Sequence, residues 1–243
     1  KFYLFMVKLS IIIPTLNEEK YLPKLLDSIK KQSYKNYEII VADAGSKDKT
    51  KEIAKKYECM IVKGGMPSVG RNAGAKVASG DLLLFLDSDV ILSKDFLKKA
   101  LKEFEHRFLD VATCHFYPLS NYKIDKKIHK FVNEFMKHMQ YIKPFAPGWC
   151  ILITKRLHNR IKGFDKKITF AEDHDYVRRA SKLGKFRILK KPKLYISTRR
   201  LVKEGRKNLA IKYAKATFFV LMGKKLSAKD FDYEMDYKKD EYI

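Results

Sequence analysis

The sequence predicts an α/β fold built on an open, mostly parallel sheet with helices on both faces, and three observations predict it. The chain has 243 residues, an ordinary size for one α/β domain with some elaboration. Its composition, 46% hydrophobic with 13% aromatic, suits a packed core, and no segment is low in complexity or repeats at a fixed period. Strand-like and helix-like stretches alternate through the first 90 residues, the pattern that βαβ units with a parallel sheet produce.

The elements follow in order. LSIII (9–13) reads as a buried strand, and LNEEKYLPKLLDSIKKQ then sets Leu22, Leu25, Leu26 and Ile29 at helical spacing. YEIIVA (37–42) is a second strand. SKDKTKEIAKKY opens on Ser46 or Asp48 as a cap and continues as a helix, leading into a short strand at 59–62. After KGGMPS come a small-residue helix, 69–78, and a strand, 81–86. Further on, Ile128, Phe131, Val132, Phe135 and Met139 mark an amphipathic helix; such a stripe packs into a core by default, although a peripheral helix touching a membrane is the other reading.

Charge and cysteine usage narrow the setting. Formal net charge is +24, and residues 178–215 hold 15 Lys or Arg against Glu204 alone. Such a region attracts nucleic acid, an anionic membrane surface or a phosphorylated substrate, or is simply a solvated basic face. Cys59, Cys114 and Cys150 are odd in number and far apart, which argues against a disulfide framework or a structural zinc site and favours a reducing, cytoplasmic setting. The apolar runs, Phe2 to Ile13 with its interruptions and Phe218 to Met222, fall short of the roughly 20 residues of a spanning helix. Met6 reads as a natural start, with residues 1–5 upstream of it.

LLLFLDSDV (82–90) carries the chemistry. An apolar strand that ends in two aspartates needs something to pair with them, because ionised carboxylates avoid interiors. In open α/β sheets ligands bind beyond the carboxyl ends of the strands. Asp87 and Asp89 stand at such an end, as do Pro14 to Glu18 after the first strand and Asp43 to Ser46 after the second. Carboxylates gathered there can share a divalent cation.

Four blocks, SIIIPTLNEEKYLPKLLDSI, YEIIVADAGSKDKT, GRNAGAKVASGDLLLFLDSDV and GFDKKITFAEDHDYVRRASKLGK, resemble in the same order the signature blocks of family 2 glycosyltransferases with the GT-A nucleotide-sugar-binding fold. The resemblance implies a GT-A domain over 6–200, with a nucleotide-binding half (6–90) and an acceptor-binding half (91–200), followed by a basic helical C-terminal extension over 201–243. It also implies an inverting transfer of a sugar from a nucleotide-diphosphate sugar, UDP- or GDP-linked, to a sugar or lipid-linked acceptor hydroxyl, as in glycan biosynthesis.

Carried over by position, Pro14, Thr15, Asn17 and Glu18 help seat the nucleotide, with Ser88 beside them. Asp43 hydrogen-bonds the base, which its carboxylate can do with a uracil imide or a guanine edge alike. Arg71 lies beside the diphosphate, where a guanidinium suits phosphate. Asn72 and Gly74 shape the helix start and its packing. Asp87 and Asp89 form the DxD that contacts ribose and ligates Mn²⁺ or Mg²⁺. Asp173 is the general base, Glu172 orients the acceptor, and Gly148 and Trp149 lie where relatives build the acceptor site. His174 reads as a surface residue. Relatives often complete the metal site with a histidine after the following strand; this chain has Ser197, Thr198, Arg199 and Arg200 there instead, and both arginines can hold the diphosphate as cations.

Three rival classes fit less well. A protein specific for nucleic acid would not need carboxylates at three strand ends; a noncatalytic nucleotide-sugar binder would have no use for the intact AEDHD; and a nucleotidyltransferase usually carries a basic, glycine-rich loop where this chain has the acidic PTLNEE.

Overall fold

The computed structural model describes residues 7–206 together with Asn208 and Ile211. The expected start at Met6, the apolar run 218–222 and most of the 201–243 extension lie outside those residues.

The first half follows the expected order: β1 (Leu9–Thr15), α1 (Leu22–Lys30), β2 (Tyr37–Asp43), α2 (Thr50–Lys56), β3 (Met60–Lys63), α3 (Pro67–Val77) and β4 (Leu82–Leu86). β2 and β4 flank β1 and β3 flanks β2, all parallel, with Thr15 aligned to Asp43. Ile11, Ile12 and Ile13 are fully buried, as are Leu22, Leu25, Leu26 and Ile29 of α1. Continuous apolar strands are what a sheet covered on both faces selects. On α3, a Cβ added at Gly74 would press 2.5 Å from Cγ2 of Ile12, so the glycine lets the helix lie close on β1.

The second half comprises β5 (Val90–Leu92), α4 (Phe96–His106), β6 (Val111–Pro118), α5 (Lys123–Met139), β7 (Cys150–Thr154), α6 (Lys155–Arg160), α7 (Glu172–Ser181), β8 (Phe186–Ile196) and α8 (Arg199–Lys203). The sheet runs β3-β2-β1-β4-β7-β6-β8-β5. β7 is antiparallel to both β4 and β6, and β5 is antiparallel to β8, while β6 and β8 are parallel. The parallel character thus belongs mainly to the first half.

One irregularity aims the chain at the crevice. Between Cys114 and His115 the register of β6 against β8 jumps from Leu189 to Lys193, so Lys190, Lys191 and Pro192 bulge. Glu103 of α4 accepts the Lys190 and Lys191 N–H groups, and Arg107 donates to it as well. Burial pushes the Glu103 carboxyl up, but these donors outweigh it and hold it below the usual range. Beyond the bulge β8 pairs with β5, and the Ser197 N–H donates to the Asp89 carbonyl. α8 therefore starts against the DSD segment.

α5 departs from the core-packing expectation. Its buried residues are Asp125, His129, Asn133 and Met136; of the predicted stripe, Phe131 is exposed and Ile128, Val132, Phe135 and Met139 are only partly covered. Met136 and Val132 pack on the core, and hydrogen bonds dock the rest of the inward face. Asn133 donates to the Phe116 carbonyl and accepts the Phe116 N–H, and Asp125 accepts from Ser120 and is held by Arg206.

Candidate active site

Three strand ends and two helix starts converge beyond β1, β2 and β4. After β1, Asn17 takes a left-handed conformation (φ 53°), donates its backbone N–H to Ser46 Oγ and accepts the Lys47 N–H on its side chain. Asp43, at the end of β2, accepts from the Gly45 and Ser46 N–H groups on one oxygen and from Thr15 Oγ1 and the Ser46 hydroxyl on the other. Those four bonds use all the lone-pair sites of a carboxylate. Asp43 is thus the organiser of this turn, and contacting a base would require exchange with one of the two hydroxyls. Pro14, between Ile13 and Thr15, continues the β1 register opposite Ala42.

The DSD segment is held by two arginines. Arg71, buried on α3, donates from Nη2 to Asp87 at 2.8 Å and from Nη1 to Glu172 at 2.6 Å, with the Phe164 ring centroid 5.4 Å from the guanidinium. Burial alone would lower the Arg71 pKa, but Asp87, Glu172 and Asp173 together raise it, so the guanidinium stays charged. Its Nε is buried without a hydrogen-bond partner. Arg199, at the start of α8, donates to both oxygens of Glu18 (2.8 and 3.0 Å), lies 3.0 Å from Asp89, and stacks over Tyr21 at 4.5 Å. Ser88 is buried between the two aspartates.

The carboxylates remain under-neutralised despite these cations. Burial pushes Asp89 up, Arg199 offsets part of that and Asp87 adds to it, leaving the carboxyl above its usual range. Glu18 is raised by burial against the pull of Arg199. Glu172 is raised by burial and by Asp173, with Arg71 opposing. A further positive charge would be stabilised here. Two carboxylates one residue apart, both hard oxygen donors, fit Mg²⁺ or Mn²⁺ in the mode where the protein supplies one or two carboxylates and phosphate the rest. Among the described residues no three His, Cys, Asp or Glu side chains group into a complete metal cage.

Asp173 occupies the first turn of α7, entered through Ala171 in a left-handed conformation (φ 57°). The Gly148 N–H donates to Asp173 Oδ2, and Asp173 Oδ1 accepts its neighbour's N–H, from His174, at 2.8 Å. A Cβ at Gly148 would collide with the Arg71 guanidinium and crowd Asp173 at 3.3 Å, so only glycine lets this loop pass between them. Trp149 is partly buried, with Phe116 4.5 Å away in an edge-on contact. His174 is not a surface residue: its ring packs 5.1 Å from Phe145, and its buried Nδ1 has no hydrogen-bond partner. Asp175 is committed to Arg178 and Arg179 of its own helix, and Asn72 to the Phe164 backbone. Arg200 lies close enough to Asp89 to lower its pKa.

The structure therefore gathers Glu18, Arg71, Asp87, Asp89, Gly148, Glu172, Asp173 and Arg199, while Asp43 and Thr15 form a neighbouring turn. Phe164 under Arg71, Tyr21 under Arg199 and Phe145 against His174 were missed from the sequence. The only available signal was general: an arginine in a site of carboxylates tends to stack on an aromatic face.

The sequence model for Glycosyl transferase family 2 matches residues 10–163. The chain belongs to that family. The matched span includes the PTLNEE turn, Asp43, Arg71, the DSD motif and Gly148, and it stops before Asp173 and Arg199. Among curated relatives, the poly(ribitol-phosphate) beta-N-acetylglucosaminyltransferase TarS of Staphylococcus aureus is 36% identical over 116 residues, which is 44% of this chain and 20% of TarS. The uncharacterized glycosyltransferase EpsJ of Bacillus subtilis is 29% identical over 186 residues, 69% of this chain and 54% of that protein. The family 2 chain thus spans only part of these longer relatives.

Solved structures agree on the fold. Residues 1–349 of S. aureus TarS in complex with UDP superpose with a TM-score of 0.65 at 24% identity, covering 78% of this chain and 60% of that one. A mannosyltransferase from Pyrobaculum calidifontis in complex with GDP-Man and Mn²⁺ gives a TM-score of 0.64 at 19% identity, covering 78% of this chain and 56% of that one. The GT-A architecture expected from the sequence is the architecture observed.

Proposed function

We propose that this family 2 chain is an inverting glycosyltransferase that moves a sugar from a UDP- or GDP-linked donor to an acceptor hydroxyl, on a sugar or a lipid-linked acceptor, with Asp173 as general base. One observation carries the reading: the Asp173 carboxylate, fixed by the Gly148 N–H, stands beside Arg71, which also grips Asp87 of the DSD motif. A proton acceptor and a phosphate-binding cation are thereby built into one rigid cluster, the pairing that glycosyl transfer from a diphosphate needs.

In the step, the acceptor oxygen attacks the anomeric carbon from the face opposite the diphosphate. The bond from that carbon to the diphosphate oxygen breaks, the nucleoside diphosphate leaves with the electron pair, and the acceptor proton passes to Asp173. Glu172 is locked to Arg71 and orients the acceptor side of the cluster rather than competing for the proton. Arg71 keeps its Nε donor for a phosphate oxygen. Arg199 would exchange Glu18 and Asp89 for the diphosphate as the donor enters, with Arg200 next to it. Asp89 and Asp87 would hold a divalent cation, which when bound neutralises charge on the leaving diphosphate. Thr15, Asn17, Glu18, Asp43 and Ser88 frame the nucleotide side. No helix of the described residues is long and apolar enough to cross a membrane.

Calorimetric titration with UDP, GDP, CDP and dTDP, each with Mn²⁺ and again with EDTA, tests the reading. Binding of one nucleotide that requires metal and disappears in Asp89→Ala supports it. Metal-independent binding moves the charge-neutralising role to Arg71, Arg199 and Arg200. No binding under any condition removes the assignment.

A further inference from the structure

α5 has its apolar and polar faces turned the wrong way for a core helix. Asp125, His129, Asn133 and Gln140, spaced by four, four and seven residues, face inward; Asp125, Asn133 and Gln140 are bonded to the body of the protein, and His129 bonds the Asp125 carbonyl with its ring against Phe116. The apolar row Ile124, Ile128, Phe131, Phe135 lies toward the outside, where Ile124 is 50% and Phe131 73% exposed. Each large apolar side chain left in water forgoes the gain of burial. A helix docked by its polar face and leaving such a row uncovered is built for something that arrives from outside.

The surroundings say what that is. From Lys123 to Lys143 the segment holds six lysines against Asp125 and Glu134, and Asp125 is neutralised by Arg206. Lys123, Lys127 and Lys130 are exposed on the outer face. Tyr122 and Tyr141 stand at the two ends, with Arg206 and Arg187 over their rings at 4.6 and 4.7 Å, an apolar body with a polar tip that suits a membrane interface. A second copy of the chain meeting this face symmetrically would set these lysines against themselves. The ATFFVLMG stretch of this chain is itself followed by Lys224 and Lys225 and preceded by Lys212 and Lys215, so its charge also opposes docking here.

We propose that the outer face of α5 docks on an anionic bilayer surface. The consequence, which rests on Asp173 being the base, is that an acceptor held in that bilayer is delivered along a line of rings into the active site: Phe131 stacks on Phe135 (6.5 Å), Phe135 contacts Phe145 (5.9 Å), and Phe145 contacts His174 (5.1 Å), the neighbour of Asp173. A basic amphipathic helix with a narrow apolar row binds in the plane of the headgroups by this combination of apolar insertion and charge.

The test is flotation of the full chain with phosphatidylcholine vesicles and with vesicles rich in phosphatidylglycerol, at low and high salt. Wild type should float with the anionic vesicles and lose binding in high salt. The double variant Ile124→Ser/Phe131→Ser should weaken that binding by about tenfold or more, and Lys127→Glu/Lys130→Glu should abolish the preference for phosphatidylglycerol while leaving the fold intact. Nucleoside diphosphate binding should be unchanged in both variants, which separates the two readings: loss of nucleotide binding in wild type overturns the transferase, not the docking. Equal vesicle binding by wild type and both variants overturns the docking. So does a wild-type dimer in solution that Ile124→Ser/Phe131→Ser converts to monomer, since the face would then belong to a second copy.

Discussion

The two halves of one sheet share a core but differ in strand direction and in how one helix, α5, is docked. β3, β2, β1 and β4 are parallel, closed on both faces by helices, and joined by aliphatic packing: Ile11 to Ile13 against Leu22, Leu25 and Leu26. β7, β6, β8 and β5 mix directions; α4 and α7 bury Phe96, Leu97, Leu101, Phe104, Tyr176 and Val177, whereas α5 docks largely through Asn133 and Asp125, and Glu103 holds the β8 bulge. α1 and Gln32 just past it also reach the second half: Ser28 accepts the Leu92 N–H, and Gln32 donates to the Ser93 carbonyl and accepts the Leu97 N–H. In the second half, Glu103 holds the β8 bulge that leads to α8, and Arg179 ties α7 to the Ile161 and Gly163 carbonyls. Arg71 is one rivet between the halves, rooted in α3 and gripping Glu172 of α7, alongside the β4–β7 ladder and the Glu18–Arg199 pair.

Removing that rivet should have the largest effect on stability. Arg71→Ala would leave Asp87 and Glu172 without their shared cation in a buried site, at a cost of about 3–5 kcal/mol. The urea midpoint should fall accordingly; a loss under ~1 kcal/mol would mean that Asp87 and Glu172 do not depend on Arg71 for their charge balance.

A pH effect comes next. His158 is buried beside the Tyr176 hydroxyl, and burial, with Arg179 and Lys155 adding, lowers its pKa from 6.5 to about 4. Between those values the unfolded chain binds the proton and the folded chain does not, so stability is full above about 6.5 and is lost as pH falls toward 4. The total is up to about 3 kcal/mol. Glu18, Asp89 and Glu172, held above their usual values, contribute with the opposite slope. The measurement is therefore the difference in urea midpoint between wild type and His158→Gln at pH 7 and pH 5, which should narrow at the lower pH.

The smallest effects sharpen the contrast on α5. Asn133→Ala removes both bonds to the Phe116 backbone and should cost about 1–3 kcal/mol. Phe131→Ser, on the exposed row, should stay within about 0.5 kcal/mol of wild type in the same denaturation series. Equal losses at the two positions would mean that the apolar row is buried after all.

This division also sets what could be read from the sequence. Local periodicity carries the first half, so Leu22, Leu25, Leu26 and Ile29 announce α1, and the strand ends follow from the runs that precede them. The DSD aspartates were legible because charge at the end of an apolar strand is locally conspicuous, whereas Arg71 and Asp173 were legible through the resemblance to family 2 glycosyltransferases. Long-range geometry was not. Nothing near Gly148 in sequence says that its N–H holds Asp173, and nothing near Glu18 says that it meets Arg199, 181 residues away. α5 misleads for the same reason: its apolar spacing is that of a core helix, and only the tertiary bonds of Asp125, Asn133 and Gln140 decide that the other face turns inward.

The most direct test of the account is Asp173→Asn, which keeps an oxygen for the Gly148 N–H and removes the base. Nucleoside diphosphate release from the bound UDP- or GDP-sugar in the presence of acceptor should fall by about 10²–10⁴-fold, with nucleotide affinity unchanged. Release at the wild-type rate would contradict the placement of the base at Asp173 and with it the reading of this cluster as the catalytic centre.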